Sequence, residues 1–223
     1  MSKADKIDAL LESATLSFAK DSFSGASLRE VAARANLALG TIHFYFGSKT
    51  ELYTAATRKI WVEISNERDA LVEKALSENV HGERLLRELI RALAEPIIRR
   101  ALGADERELA QLKVVRGRVP EEHGIELDRS AGRTVARWID ALSQACPSLS
   151  RKDLIWTYSF ILGVIWGWQS IDHRYDEMMH DDLTRTPEDV MADIVDFGTA
   201  GVRALILSRE AAPSPKSRPT DTQ

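Results

Sequence analysis

Thr41, His43, Tyr45 and Lys49, within the stretch SLREVAARANLALGTIHFYFGSKTEL at residues 27–52, form a set of groups able to hold an anion. Thr41 brings a hydroxyl and a methyl, His43 an imidazole, Tyr45 a phenol and Lys49 an ammonium. Lys49 falls in the first turn of an expected helix, where free backbone N–H groups and the helix dipole already favour negative charge, so its ammonium completes a phosphate clamp. Ser27 opens another helix of the same kind. Covalent chemistry finds no comparable set: the chain has no Gly-x-Ser-x-Gly elbow, no glycine-rich phosphate loop and no paired-cysteine motif, so no enzyme is expected.

These groups need short helices at fixed angles, and the local signals supply them. Ser27 with Glu30 has the spacing of a capping box, and Leu28, Val31, Ala32 and Ala35 follow at helical spacing. Asn36 ends that helix because a turn here needs a residue that tolerates positive φ. The next helix, Leu39 to about Tyr45, has two turns: Ile42 and Phe46 face inward, leaving Thr41, His43, Phe44 and Tyr45 to point elsewhere. Ser48 with Glu51 spells a second capping box and opens a long helix at Lys49. Upstream, Ile7, Leu10, Leu11, Ala14 and Phe18 form an apolar stripe, which predicts a covering helix from 5 to about 20.

The run GTIHFYFGSKTEL resembles the signature of the TetR family of bacterial transcription regulators, and the match extends over roughly residues 5–60. The resemblance implies an all-α, TetR-like fold of about nine helices. A three-helix DNA-binding domain would occupy 1–60, with its helix-turn-helix at about 27–46, and a larger helical domain for ligand binding and dimerisation would occupy 61–210. It also implies DNA contacts at Ser27, Leu39, Gly40, Thr41, His43, Phe44, Tyr45 and Lys49. A two-turn helix fits the major groove with its N-terminal residues nearest the base edges, which puts Gly40 and Thr41 there. Gly40 either lets the backbone approach DNA or marks a loose helix start, and Leu39 either meets a thymine methyl or packs inward. The chain departs from the family pattern: His43 and Phe44 stand where tyrosines are usual, Asn36 where the turn glycine is, Ala38 where a Ser or Thr cap is, and Leu39 where a polar residue is frequent.

The formal charge of −4 does not by itself suggest a nucleic-acid partner. The sign splits, however: the first 60 residues hold eight Lys or Arg against six Asp or Glu, and the remainder holds 22 against 28. Phosphate contacts therefore belong to the N-terminal part. A single cysteine, Cys146, excludes an intrachain disulfide, and the charged N-terminus lacks the apolar core of a secretory signal, so a cytoplasmic, soluble globular protein is expected.

Further helices are predicted at about 83–102, 105–116, 120–145, 150–179 and 187–209, the last opened by Thr186 as cap and Pro187 at its first position. From Ala211 onward the chain is proline-rich and almost devoid of apolar residues, the composition of a disordered tail. Residues 154–171 carry no charge, yet Gly163, Gly167 and several polar residues favour a buried helix over a membrane span. Its cover would be the last helix, with Val190, Ile194, Phe197, Gly201 and Leu205 in a stripe, plus the same two helices of a second subunit. The resemblance implies that four-helix dimer interface too.

The larger domain is rich in aromatics, and for each one core packing is the simpler account. The resemblance implies a pocket for a small apolar or aromatic effector, with Trp61, Trp138, Tyr158 and Trp166 as candidate walls and Arg137, Gln169 and His173 as polar contacts. Asp172, His173, Asp176, Glu177 and His180 could share one helical face and bind a divalent metal, but a solvated helix end explains them equally, so neither metal nor cofactor is assigned. The expected function is a ligand-responsive regulator, most simply a repressor that binds a palindromic operator as a homodimer and is released by its effector. The alternatives are a constitutive DNA-binding protein without a ligand and, more remotely, an enzyme.

Overall fold

A computed structural model describes residues 1–117, 121–169 and 185–211, with the backbone alone described at 121–131 and 169. Among the described residues there are nine helices and no strand: α1 (Lys3–Gly25), α2 (Leu28–Arg34), α3 (Leu39–Phe46), α4 (Lys49–Ser77), α5 (Gly82–Leu102), α6 (Glu106–Arg116), α7 (Glu121–Ala145), α8 (Arg151–Gln169) and α9 (Pro187–Ala211). The expected continuation of α8 to 179 and the tail from 212 lie outside the described residues.

Caps set several of these starts. Ser2 and Asp5 form a reciprocal capping box on α1, with the Asp5 N–H donating to Ser2 Oγ at 3.1 Å and the Ser2 N–H to the Asp5 carboxylate at 2.8 Å. The Asp189 N–H donates to Thr186 Oγ1 at 3.1 Å at the start of α9, and the Glu51 N–H to Ser48 Oγ at 3.1 Å at the start of α4. The box expected at Ser27 does not form: the serine has extended backbone angles, but its hydroxyl makes no capping bond. Tertiary packing holds this seven-residue helix instead, because Val31 and Ala32 are buried and Ser13 Oγ donates to the Val31 carbonyl at 2.8 Å.

Leu10, Ala14, Val31, Ile42 and Leu52 are all but inaccessible, so α1, α2, α3 and the first turns of α4 share one apolar centre. Asn36 makes the turn between α2 and α3 at φ 55°, and Gly47 closes α3 at φ 76°. The chain of α1 breaks helical geometry at Ser22, near the expected end at 20.

The second apolar centre is built around α5, where Leu85, Leu86, Leu89, Ile90, Leu93 and Ile97 are buried. This helix packs against α4, α6, α7, α8 and α9. Gly198 of α9 lies so close to Ile90 that a Cβ there would sit 3.2 Å from Ile90 Cδ1. α4 belongs to both centres, with Leu52 and Ala56 at one end and Ile64 and Val72 at the other. α6 also touches both: it packs on α1 and α5, and the Tyr53 hydroxyl of α4 donates to the Val114 carbonyl at 3.0 Å. Gly117 has no room for a side chain at that seam, since a Cβ would fall 2.3 Å from the Tyr53 oxygen.

α8 is not covered on every side within one chain. Ile155, Trp156 and Phe160 are 46%, 54% and 62% exposed. No helix among the described residues is long and apolar enough to cross a membrane.

Candidate functional site

α3 is held by one inward anchor, Ile42, which is wholly buried, while Leu39, Tyr45 and Phe46 pack half-buried around it. Leu39 thus turns partly inward, the second of its two sequence readings. The opposite side of the helix is open: Gly40 and His43 are exposed, Thr41 is half-buried and Phe44 is 80% exposed. A Cβ at Gly40 would meet nothing within 4 Å, so the glycine answers to no neighbour inside the chain. Phe44 stands edge-on to Tyr45, ring centres 5.0 Å apart, which gives an exposed apolar ring beside a phenol.

His43 is tied down by its own helix end, with Nδ1 3.0 Å from the Gly47 carbonyl. A carbonyl only accepts, so Nδ1 carries a proton and donates, and Nε2 takes no part in this contact.

Lys49 has a second task. Its ammonium donates to the Ser24 carbonyl at 3.2 Å and lies 5.2 Å above the Phe23 ring, joining the start of α4 to the end of α1. Two N–H donors remain on the ammonium for a phosphate. Lys49→Ala is expected to weaken binding to all duplexes alike and to lower the slope of log affinity against log salt by about one unit per subunit. Titration across a salt series measures this, and an unchanged slope assigns Lys49 to the α1 contact alone. Ser27 is half-buried at the start of α2, its hydroxyl unused for capping.

Among the described residues, the four aromatics expected around an effector form two pairs. Trp61 meets Trp166 edge-on at 5.9 Å, and Trp138 tilts against Tyr158 at 5.1 Å. Trp138 is 2% exposed and its indole N–H donates to the Leu89 carbonyl at 3.2 Å, so it is a satisfied core residue. Arg137 points away from the interior, pairing with Glu73 and, at 3.9 Å, with Asp69 on the surface of α4. The side chain of Gln169, and all of His173 with the Asp172–His180 cluster, lie outside the described residues. A cavity of about 780 Å³ opens elsewhere, between α5, α6, α8 and α9, walled by Leu102, Leu112, Val164, Trp168 and Ile194. None of the four expected aromatics lines it.

The cation that sequence reading missed is Arg68 on α4, only 5% exposed. A charged residue in a mixed helix reads as solvated, and its one distinguishing sign is position: it continues the inward row Trp61, Ile64 at helical spacing. Burial pulls its guanidinium down to about 10, with the Tyr158 phenol and Glu67 opposing and Arg100 adding to the fall, so it stays charged at neutral pH.

A helix-turn-helix with an exposed reading face, carried on an all-helical body, defines a DNA-binding regulator. A family model described as "Bacterial regulatory proteins, tetR family" matches residues 10–56, and one described as "Tetracyclin repressor-like, C-terminal domain" matches 91–201. The chain belongs to the TetR family of DNA-binding transcriptional regulators, which are not enzymes.

No match was found among curated protein sequences. Solved structures of similar fold include a TetR-like transcriptional regulator from Rhodococcus sp. RHA1, 14% identical, with a TM-score of 0.62 over 91% of this chain and 98% of that one. The fatty acid degradation regulator FadR from Bacillus halodurans is 14% identical, with a TM-score of 0.61 over 87% and 98%. The TetR family regulator PfmR from Thermus thermophilus is 16% identical, with a TM-score of 0.56 over 90% and 94%.

Proposed function

We propose that this chain is a cytoplasmic, ligand-responsive repressor that binds a palindromic operator as a homodimer and leaves it when a small molecule occupies the helical body. In this reading residues 1–60 form the DNA-binding domain, with Ser27, Leu39, Gly40, Thr41, His43, Phe44, Tyr45 and Lys49 at the duplex, and residues 61–210 bind the effector and pair the subunits. Small residues on α8 and α9 let four helices meet closely across a two-fold axis. The observation that carries the reading is a pair of unpartnered faces on one chain: the open side of α3, and an apolar groove of about 640 Å³ between α8 and α9 lined by Phe160, Val164, Phe197, Gly201 and Leu205. One face suits a major groove and the other suits a copy of itself. Two identical reading helices on a two-fold axis match inverted half-sites about one helical turn apart.

Release follows if the effector binds better to a state in which the two heads are wrongly spaced, since a ligand shifts an equilibrium only by its differential affinity. α4 is the physical link, because it starts at the reading head and ends inside the body.

Selection of bound duplexes from a random pool tests the reading: inverted repeats should be enriched. Random, salt-sensitive sequences in their place would indicate an architectural protein. Within the selected operator, Thr41→Ala is expected to change the ranking of base variants in each half-site, with about 1–3 kcal/mol at the contacted pair. Competition binding on a set of single-base variants measures this, and an unaltered ranking excludes Thr41 as a reader.

A further inference from the structure

We propose that Arg68 is the anchor for the effector's charged group, and that the effector is accordingly an organic acid, a carboxylate on an apolar or aromatic body. This rests on the ligand-responsive reading above. Arg68 Nε donates to the Leu93 carbonyl at 3.0 Å, but Nη2 is buried with no acceptor among the described residues. The adjacent carboxylate, Glu67, is already committed: it takes Arg100 through both its oxygens, at 2.6 and 2.9 Å, and Arg99 at 2.6 Å. Arg100 is itself 2% exposed and pairs with Glu67, with Glu108 and Glu63 also acting on it, so Glu67, the one carboxylate that acts on Arg68, is shared. A buried cation with no carboxylate hydrogen-bonded to it is costly, and a buried donor lacking an acceptor adds to that cost. An entering carboxylate removes both penalties together, through a charge-assisted hydrogen bond in water-poor surroundings.

The neighbours suit the rest of such a molecule. The Tyr158 phenol, pushed up by burial, lies within electrostatic reach of the Arg68 guanidinium and is a hydrogen-bond donor to a carboxylate. Behind it stands Trp138. Seven residues before Arg68 on α4, about 10 Å along the axis, Trp61 meets Trp166 of α8, which provides an aromatic end for the apolar body.

The full-length protein is titrated with sodium octanoate and phenylacetate, and with octanamide and phenylacetamide at equal ionic strength, by calorimetry and on the selected operator. The acids are expected to bind at least about ten-fold more tightly than their amides and to weaken operator binding; Arg68→Met abolishes that preference, and Arg68→Lys keeps part of it. Amides that match the acids in the wild type, or a preference that survives in Arg68→Met, overturn the anchor. Arg68→Met in acid-free buffer should melt no lower than the wild type, because it removes an unpaired buried charge. A drop of several degrees would make Arg68 a structural strut and sink the proposal. If an uncharged compound releases the operator from wild type and Arg68→Met alike, the anchor fails and the effector reading stands. If neither these probes nor a cell extract alters operator binding, both fail.

Discussion

Phe197→Asp is expected to leave the protein monomeric and to cut its operator affinity by about a hundred-fold or more, as loss of two-site binding does. Phe197 is 68% exposed on a single chain and lines the apolar groove between α8 and α9. Burying such a ring stabilises an interface by about 1.5–3 kcal/mol, and a two-fold axis counts it twice. A carboxylate at the same place is desolvated on association without a partner, and two of them approach each other across the axis. The fold of each subunit should survive, because the ring contributes little to the core of its own chain. Sedimentation equilibrium and titration of a palindromic duplex measure the two effects, and a variant that remains dimeric would move the subunit contact away from this groove.

Glu67→Gln should lower stability by about 3 kcal/mol, near the lower end for breaking a buried ion pair because Glu67 keeps about a third of its side-chain surface in water. That corresponds to a fall of roughly 10 °C in melting temperature for a chain of this size. The loss is large because Arg100 is buried and also donates to Gln111 at 3.2 Å and to the Pro96 carbonyl at 2.9 Å, so the Glu67 carboxylate ties together a junction of α4, α5 and α6. Burial would raise the Glu67 carboxyl, but the hydrogen bonds and charges of Arg100 and Arg99 outweigh it and hold the group below its ordinary value. A lowered carboxyl stabilises the fold fully above its unfolded value, about 4.3, and ceases to do so as pH falls through the folded one. The stability gap between wild type and Glu67→Gln should therefore be flat from about pH 8 to 5 and narrow below about pH 4. Denaturant melts across that range check it; a gap that widens in acid would reverse the assigned sign.

Sequence carried the all-helical fold well because α1, α3 and α5 have clear apolar periodicity and because Asn36 has few alternatives at its turn. Ser27 shows the limit of local grammar: the Ser-x-x-Glu spacing is present, but Ser13 and the burial of Val31 fix the helix without it. The true box at Ser2 and Asp5 has a carboxylate one methylene shorter than the expected glutamate. In the reading head, residue type and spacing picked out His43 and Phe44 as exposed, but Tyr45, expected to point away from the core, packs half-buried around Ile42, and the proton on His43 Nδ1 depends on a carbonyl four residues away. The interior of the body was least legible. Arg137 and Arg68 look alike as letters in a helix, and only the angles at which α4 and α7 meet decide that one pairs with surface carboxylates and the other is enclosed.

The Tyr53–Val114 bond fastens α4 to α6 near one end of a 29-residue rod. Such a rod is a lever with unequal arms: about 22 Å from the fulcrum at Tyr53 to Arg68, and about 6 Å from it to Lys49, at 1.5 Å per residue. Sideways travel at the inner end is thus divided by nearly four at the outer one, while the tilt angle is passed on whole. In the dimer proposed above, a head answering to such a lever would respond to rotation, and the distance between twin heads would magnify what the short arm has reduced.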